Sequence, residues 1–167
     1  MKIKNHFVLL LLSFISLAGC QTTNNYNFNS TASSFKCTSI TPESAYNYSF
    51  KNTKWTLFHS EDSRNDSWDN SVLEFTSEIT DGKKKHISGN FIWYLDGDYR
   101  GKEYFSGQFI SETGELTFQG SFIKDRNAIN PSLYRAILCD VGKTITSGTW
   151  EAANTVPGVW SASLNNK

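Results

Sequence analysis

The chain has 167 residues, a length that suits one domain, and its 14% aromatic content with only 3 prolines favours a packed β domain. Lys+Arg and Asp+Glu are each 16, so the formal charge is zero. That balance excludes the basic field a nucleic-acid-binding surface needs and the polybasic stretch that holds a protein on anionic lipid, so no nucleic-acid partner is expected.

The N-terminus begins with a positive segment, Met1-Lys2-Ile3-Lys4, followed by an apolar run of 11 residues over 7–17 (FVLLLLSFISL). A membrane-spanning helix needs about 20 apolar residues, so this run is too short to span. A short apolar run between lysines and small residues has the layout of a secretory signal, here residues 1–19, rather than that of a buried core helix. It ends in Leu17-Ala18-Gly19-Cys20, and in this stretch the chain resembles the bacterial lipoprotein precursors, whose lipobox is Leu, two small residues and Cys. The resemblance implies a diacylglyceryl group on the Cys20 thiol, cleavage before Cys20, and a membrane lipid as the first partner of the mature protein. Two or three acyl chains, at about 0.8 kcal/mol per buried CH₂, give a stable anchor. The next residue is Gln21 rather than Asp, which in a Gram-negative envelope implies the outer membrane. Removing Lys2 and Lys4 with the signal leaves 14 basic against 16 acidic side chains, a balance of −2.

Residues 21–34 (QTTNNYNFNSTASS) carry no charge and no hydrophobic period, so 20–36 is expected to be a flexible tether and 37–167 the folded domain. With Cys20 committed to lipid, Cys37 and Cys139 remain, one near each end of that domain. An even pair in an oxidising compartment points to a disulfide, with two buried free thiols or a catalytic thiol as the alternatives. A bridge closing a loop of this size, about 100 residues, stabilises by roughly 4.7 kcal/mol in the chain-entropy picture.

The domain repeats a small pattern, Gly-x-aromatic: Gly89-Asn90-Phe91, Gly107-Gln108-Phe109, Gly120-Ser121-Phe122, Gly148-Thr149-Trp150 and Gly158-Val159-Trp160. In a strand, residues two apart share a face, so each glycine and its aromatic face the same side. The glycine leaves a hole that a ring from the neighbouring strand can cover, and it permits the bend of a curved sheet. Period-2 alternation supports this, with Ile87, Gly89, Phe91, Trp93 and Leu95 on one face and Leu116, Phe118, Gly120 and Phe122 on another. Asp81-Gly82, Asp96-Gly97, Thr113-Gly114 and Val141-Gly142 mark turns.

The expected strands are 54–59, 71–80, 85–95, 103–111, 115–124, 132–140, 143–151 and 158–164. The sixth also fits a capped helix after Asn130-Pro131-Ser132, and the strand is preferred. The architecture is therefore all-β: an antiparallel up-and-down barrel or a strongly curved meander of about eight strands, whose interior is filled or holds one small ligand. In this meander and its Gly-x-Trp pattern the domain resembles avidin-like and lipocalin-like barrels, as architecture only.

No cofactor, catalytic or metal site is expected. HExxH, Gly-x-Ser-x-Gly and P-loop patterns are absent. His59 lies in HSEDS near Glu61 and Asp62, which favours a solvated loop over a metal site, and His86 follows three lysines at a strand start. Ser121 and Lys124 match Ser-x-x-Lys by letters, but period 2 sends them to opposite faces of a strand. Asp96-Gly97-Asp98 with Glu103 forms an acidic hairpin tip, a plain turn in preference to a calcium loop, which would need six or more oxygens.

The aromatic residues are the stronger candidates, because Trp55, Trp68, Trp93, Trp150 and Trp160, with Tyr94, Tyr104 and Tyr134, exceed what a core of this size needs. Trp93, Tyr94, Tyr104, Trp150 and Trp160 are the candidate ligand-binding residues. Trp93 and Tyr94 are consecutive and face opposite sides, so one of them is exposed or faces a groove.

The functional expectation is a membrane-anchored, non-enzymatic envelope lipoprotein whose β domain binds a small molecule, glycan or protein. The alternative is an extracytoplasmic enzyme inhibitor or immunity protein, since Phe35-x-Cys37 resembles the aromatic-x-Cys start of lipoprotein lysozyme inhibitors. An envelope enzyme is the third reading.

Overall fold

The computed structural model describes residues 37–38, 40–125, 129–139, 142–152 and 156–165. The expected signal segment 1–19, the lipidation site Cys20 and the tether 20–36 lie outside these residues, as does Val141 of the expected last turn. No helix among the described residues is long and apolar enough to cross a membrane.

One short helix, α1 (Pro42–Asn47), precedes eight strands: β1 (Thr53–Asp62), β2 (Val72–Asp81), β3 (Lys84–Leu95), β4 (Asp98–Ile110), β5 (Glu115–Lys124), β6 (Leu133–Cys139), β7 (Thr144–Glu151) and β8 (Gly158–Leu164). Each strand pairs antiparallel with the next, and β8 returns to β1, from Trp55↔Leu164 to Asp62↔Gly158, so the sheet is a closed barrel. Closure removes the unpaired edges that an open meander would leave. The ambiguous sixth segment is a strand: Tyr134, Ala136 and Leu138 are buried while Leu133, Arg135 and Ile137 are not, an alternation of two. β4 starts earlier than expected, at Asp98, because Asp96 and Gly97 make the tight hairpin with φ of 51° and 87°.

The glycine pattern works across the ladder as well as along it. Gly89 is opposite Phe105, Gly107 opposite Phe118, Gly120 opposite Phe105, Gly148 opposite Trp160 and Gly158 opposite Trp150. At Gly148 and Gly158 an added methyl would overlap the facing indole itself. Rings therefore fill the bore, with Trp55, Phe75, Phe91, Phe109, Phe118 and Trp160 at most 2% exposed.

One face assignment needs correction. Between Tyr104↔Phe122 and Phe105↔Gly120 the β5 ladder carries one extra residue, and this bulge inverts the alternation. Phe122 is consequently 60% exposed and Ile123 takes the inward place. The same bulge leaves both Ser121 and Lys124 on the outside, where the Ser121 hydroxyl donates to the Tyr104 carbonyl at 3.2 Å, rather than on opposite faces.

One end of the barrel is plugged. α1 was not expected from the sequence, although Thr41-Pro42 is a helix start: the Thr41 hydroxyl accepts from Ser44 N–H at 3.2 Å and Pro42 opens the first turn. A helix of six residues has little stability of its own, and this one is held by burial of Ala45 and by the segment that follows. Phe50, fully buried, packs on Phe75 at 4.8 Å and Phe109 at 5.0 Å between ring centroids. The inward Lys85 donates to the Tyr48 carbonyl and sits 3.3 Å from Glu78, which in turn accepts from Phe50 N–H at 2.7 Å. Cys37 and Cys139 are joined as a disulfide, Cα–Cα 5.4 Å across a separation of 102 residues, at this same end.

Replacing Gly148 with Ala should force the Trp160 indole out of its seat and lower unfolding stability by about 1–3 kcal/mol. A urea melt of the Gly148→Ala protein whose midpoint matched the parent would show that the glycine–ring match is not what limits the bore.

Candidate functional site

The end opposite the plug is built by described residues of the connections after β1, β5 and β7 together with inward residues near the ends of β3 and β7 and near the starts of β4 and β6. There a cavity of about 60 Å³ lies among Trp68, Trp93, Trp150, Tyr134 and Glu103, with Asp62 and Arg64 at its rim. Such a space holds about four to six water positions, well short of the several hundred Å³ of a pocket for a drug-sized ligand. The barrel is thus a filled one with a small mouth.

Strand irregularities aim two of these side chains. β1 carries an extra residue between Phe58 and Glu61, where His59 has φ of 48°, so the inward row passes from Trp55 and Leu57 to Ser60 and Asp62. β7 has the same device near Ser147, φ 52°, which turns Gly148 and Trp150 inward after Ile145.

Asp62 organises the loop behind it. Its Oδ1 accepts from the Arg64 and Asp66 backbone N–H groups at 2.8 and 3.3 Å, and its Oδ2 accepts from the Arg64 guanidinium at 2.8 Å. Burial works to raise the Asp62 carboxyl, and the bonds from Arg64 and Asp66 outweigh it and hold the group below the ordinary aspartate value. The loop then delivers Trp68 onto the edge of Trp93, ring centroids 5.8 Å apart at 85°. Trp150 is fixed by its indole N–H, which donates to the Val156 carbonyl at 3.1 Å.

Glu103 is the charged member. It continues the inward row of β4 with Gly101, Phe105 and Phe109, and it is 0% exposed. Ser132 N–H donates to Oε1 at 3.0 Å, and the Trp93 indole N–H at 3.0 Å and the Tyr134 hydroxyl at 2.5 Å donate to Oε2. An indole and a backbone N–H can only donate, so this geometry fits a carboxylate. Gly120 makes room for it, since a Cβ there would overlap Oε1. Among the described residues no ion pair involves Glu103. Burial is the larger effect and raises its carboxyl above the ordinary glutamate value, against the three hydrogen bonds, which lower it. Burial and the neighbouring Glu103 push the Tyr134 phenol well above its usual range, which keeps the hydroxyl proton in place as a donor.

Of the five candidate aromatics, the structure brings Trp93 and Trp150 together at the mouth, ring centroids 6.0 Å apart. The other three are elsewhere. Trp160 is core, 2% exposed, with its indole N–H donating to the Thr149 carbonyl at 3.2 Å. Tyr94 faces the outside of β3 and packs on Tyr99 at 6.0 Å, because its neighbour Trp93 takes the inward place. Tyr104 is also on the outer surface, 37% exposed and 5.9 Å from Phe122. Glu103 is a further correction: it is inside the barrel rather than at the Asp96–Asp98 hairpin tip, because β4 already runs from Asp98 and alternation turns Glu103 inward.

His59 is exposed at the β1 bulge and its ring lies 5.4 Å from that of Phe58, while Asp62 points the other way. His86 is exposed, 4.0 Å from Asp81. Among the described residues no group of three or more His, Cys, Asp or Glu side chains is placed to hold a metal ion.

Comparisons with known proteins leave this geometry to speak for itself: no family model matches the chain, and neither a curated protein nor a solved structure is significantly similar to it.

Because its folded-state carboxyl titrates above the unfolded one, Glu103 binds more protons in the native state between the two values. Its contribution to stability is therefore greatest at acid pH and falls as pH rises from the ordinary glutamate value through the raised one. Urea unfolding of the parent and of Glu103→Gln across pH 4.5–8 should show that downward step in the parent alone. A parallel pH profile in both proteins would contradict the assignment.

Proposed function

We propose that this protein is a lipid-anchored envelope lipoprotein that binds, without chemical turnover, a small group of a ligand in the aromatic mouth of its barrel. The observation that carries the binding half is the convergence of Trp93, Trp150 and Trp68 on a cavity beside a buried, hydrogen-bonded carboxylate. Ligand sites combine apolar and aromatic walls with a few fixed polar groups, and this mouth has both. Its walls are preorganised: the Trp93 and Trp150 N–H groups are committed to Glu103 and the Val156 carbonyl, so little side-chain freedom remains to be lost on binding.

The anchoring half rests on Leu17-Ala18-Gly19-Cys20 after a short apolar run, and a disulfide between Cys37 and Cys139 supports an oxidising, extracytoplasmic setting. Gln21 favours the outer membrane as the site of attachment. Cys37, the first described residue, belongs to the plugged end of the barrel.

The two halves are tested separately. Labelled palmitate should enter the full-length protein and be lost from Cys20→Ser; label that persisted in the variant would remove the anchor. A thermal-shift screen of small fragments on the full-length protein should give hits that disappear in Trp150→Leu. Hits that survived that change, in a variant with an unaltered circular-dichroism spectrum, would move the site off the mouth.

A further inference from the structure

The two ends of the bore treat their buried charges differently. At the plugged end Lys85 and Glu78 satisfy each other, 3.3 Å apart. At the mouth Glu103 is fully buried, and its three hydrogen-bond donors among the described residues are all neutral. The one cation among the described residues that borders the cavity, Arg64, is turned to Asp62 and Asp66 at 2.8 and 3.0 Å, and its side chain is 60% exposed. The cavity thus lies over a buried carboxyl that no side-chain cation among the described residues pairs with.

The walls add to this. Trp93 is stacked on Phe91 at 4.8 Å and 17°, and Trp68, Trp150 and Tyr134 lie at ring-centroid distances of 5.8, 6.0 and 6.1 Å, the first two turned steeply to it and Tyr134 nearly parallel, at 22°. Aromatic faces carry negative potential and attract cations, tryptophan most strongly. Trp93 and Tyr134 also donate their N–H and O–H protons to the Glu103 carboxylate, which pushes electron density back into both rings. Glu103 is covered and does not touch a guest; it acts through the rings and through its field in a poorly solvated site. The available volume, about 60 Å³, suits one tetrahedral group of a few heavy atoms and excludes a bulky hydrophobic ligand.

Resting on the reading of the mouth as the ligand site, we propose that the group it takes is a small organic cation, an alkylammonium or quaternary ammonium, seated among Trp68, Trp93 and Trp150 with Glu103 as the charge behind the cage. The aromatic walls and the buried Glu103 carboxyl favour a cation, while the Trp68 indole N–H, which has no acceptor among the described residues, and the Arg64 guanidinium are the two donors left at the rim.

The test is calorimetric titration of the full-length protein in detergent micelles at constant ionic strength. The probes are choline and its neutral isostere 3,3-dimethylbutan-1-ol. Choline should bind saturably, with a dissociation constant on the order of millimolar, and the neutral alcohol about tenfold more weakly or not at all. Glu103→Gln, which keeps the size and one acceptor oxygen, should weaken choline about five- to tenfold. Trp68→Leu, which removes a wall carried on a loop, should weaken it as much, so the argument does not hang on one buried substitution. Equal binding of alcohol and choline would overturn the cationic class and leave the mouth as a binding site for neutral groups. Absence of binding by either probe would overturn the proposal outright, as would choline binding unchanged in both variants. Vesicles of phosphatidylcholine added to the Cys20→Ser protein, which lacks the acyl anchor, separate the two sources of such a group: co-sedimentation that free choline competes away points to a lipid headgroup, and choline binding without co-sedimentation to a soluble amine.

Discussion

An eight-stranded barrel is too narrow for a large ring at every inward position, and the match of glycine to ring across the ladder is how this chain resolves that conflict. Phe105 sits between Gly89 on one side and Gly120 on the other, and Trp160 and Trp150 face Gly148 and Gly158 on neighbouring strands. At Gly148 and Gly158 the facing indole occupies the place of the missing Cβ, and at Gly120 the Glu103 carboxyl does, so the bore reaches the density of a protein interior. The consequence for function is direct. A bore filled to its axis cannot hold a ligand in the manner of a hollow barrel, and the binding surface is displaced to whichever end is left unplugged.

Which end that is follows from the chain before β1. Tyr48 and Phe50 enter the bore from α1 and are fixed there by Lys85 and Glu78, a buried pair whose charges satisfy each other and the local backbone. Separating such a pair costs several kcal/mol, so the plug is a permanent part of the fold rather than a lid. The disulfide between Cys37 and Cys139 ties the same segment to the end of β6. Among the described residues the mouth has no equivalent strap. Its polar groups are instead arranged around one carboxylate whose hydrogen bonds hold Trp93, Tyr134 and the Ser132 backbone in register with one another.

The mouth also depends on broken alternation. Without the extra residue near His59, the inward row of β1 would end at Glu61 and turn Asp62 to solvent; without the one near Ser147, Trp150 would point outward from β7. Both bulges hold a non-glycine residue at positive φ, a conformation that costs energy and persists because the paired strands on either side enforce it. Strain of this kind, placed where it aims two side chains into one cavity, is consistent with a site that is shaped rather than left over from closure.

The amino-acid sequence determined the class of fold because the evidence for it is local. Period-2 runs such as 87–95, the Gly-x-aromatic copies and the Asp-Gly turns each follow from the pleat of a single strand, and they placed all eight strands within a few residues. Even Glu103 was legible in principle, as a charge interrupting the apolar row Phe105, Phe109 of one strand, had the strand been extended back to Asp98. Only the tertiary structure could decide closure, which is a contact between the first strand and the last. It alone could separate Trp160, a core ring, from Trp150, a mouth ring, since both follow a glycine in the same pattern. Bulges, too, are set by what the neighbouring strand demands, and for that reason Phe122 faces outward and Asp62 inward where counting along the chain says otherwise.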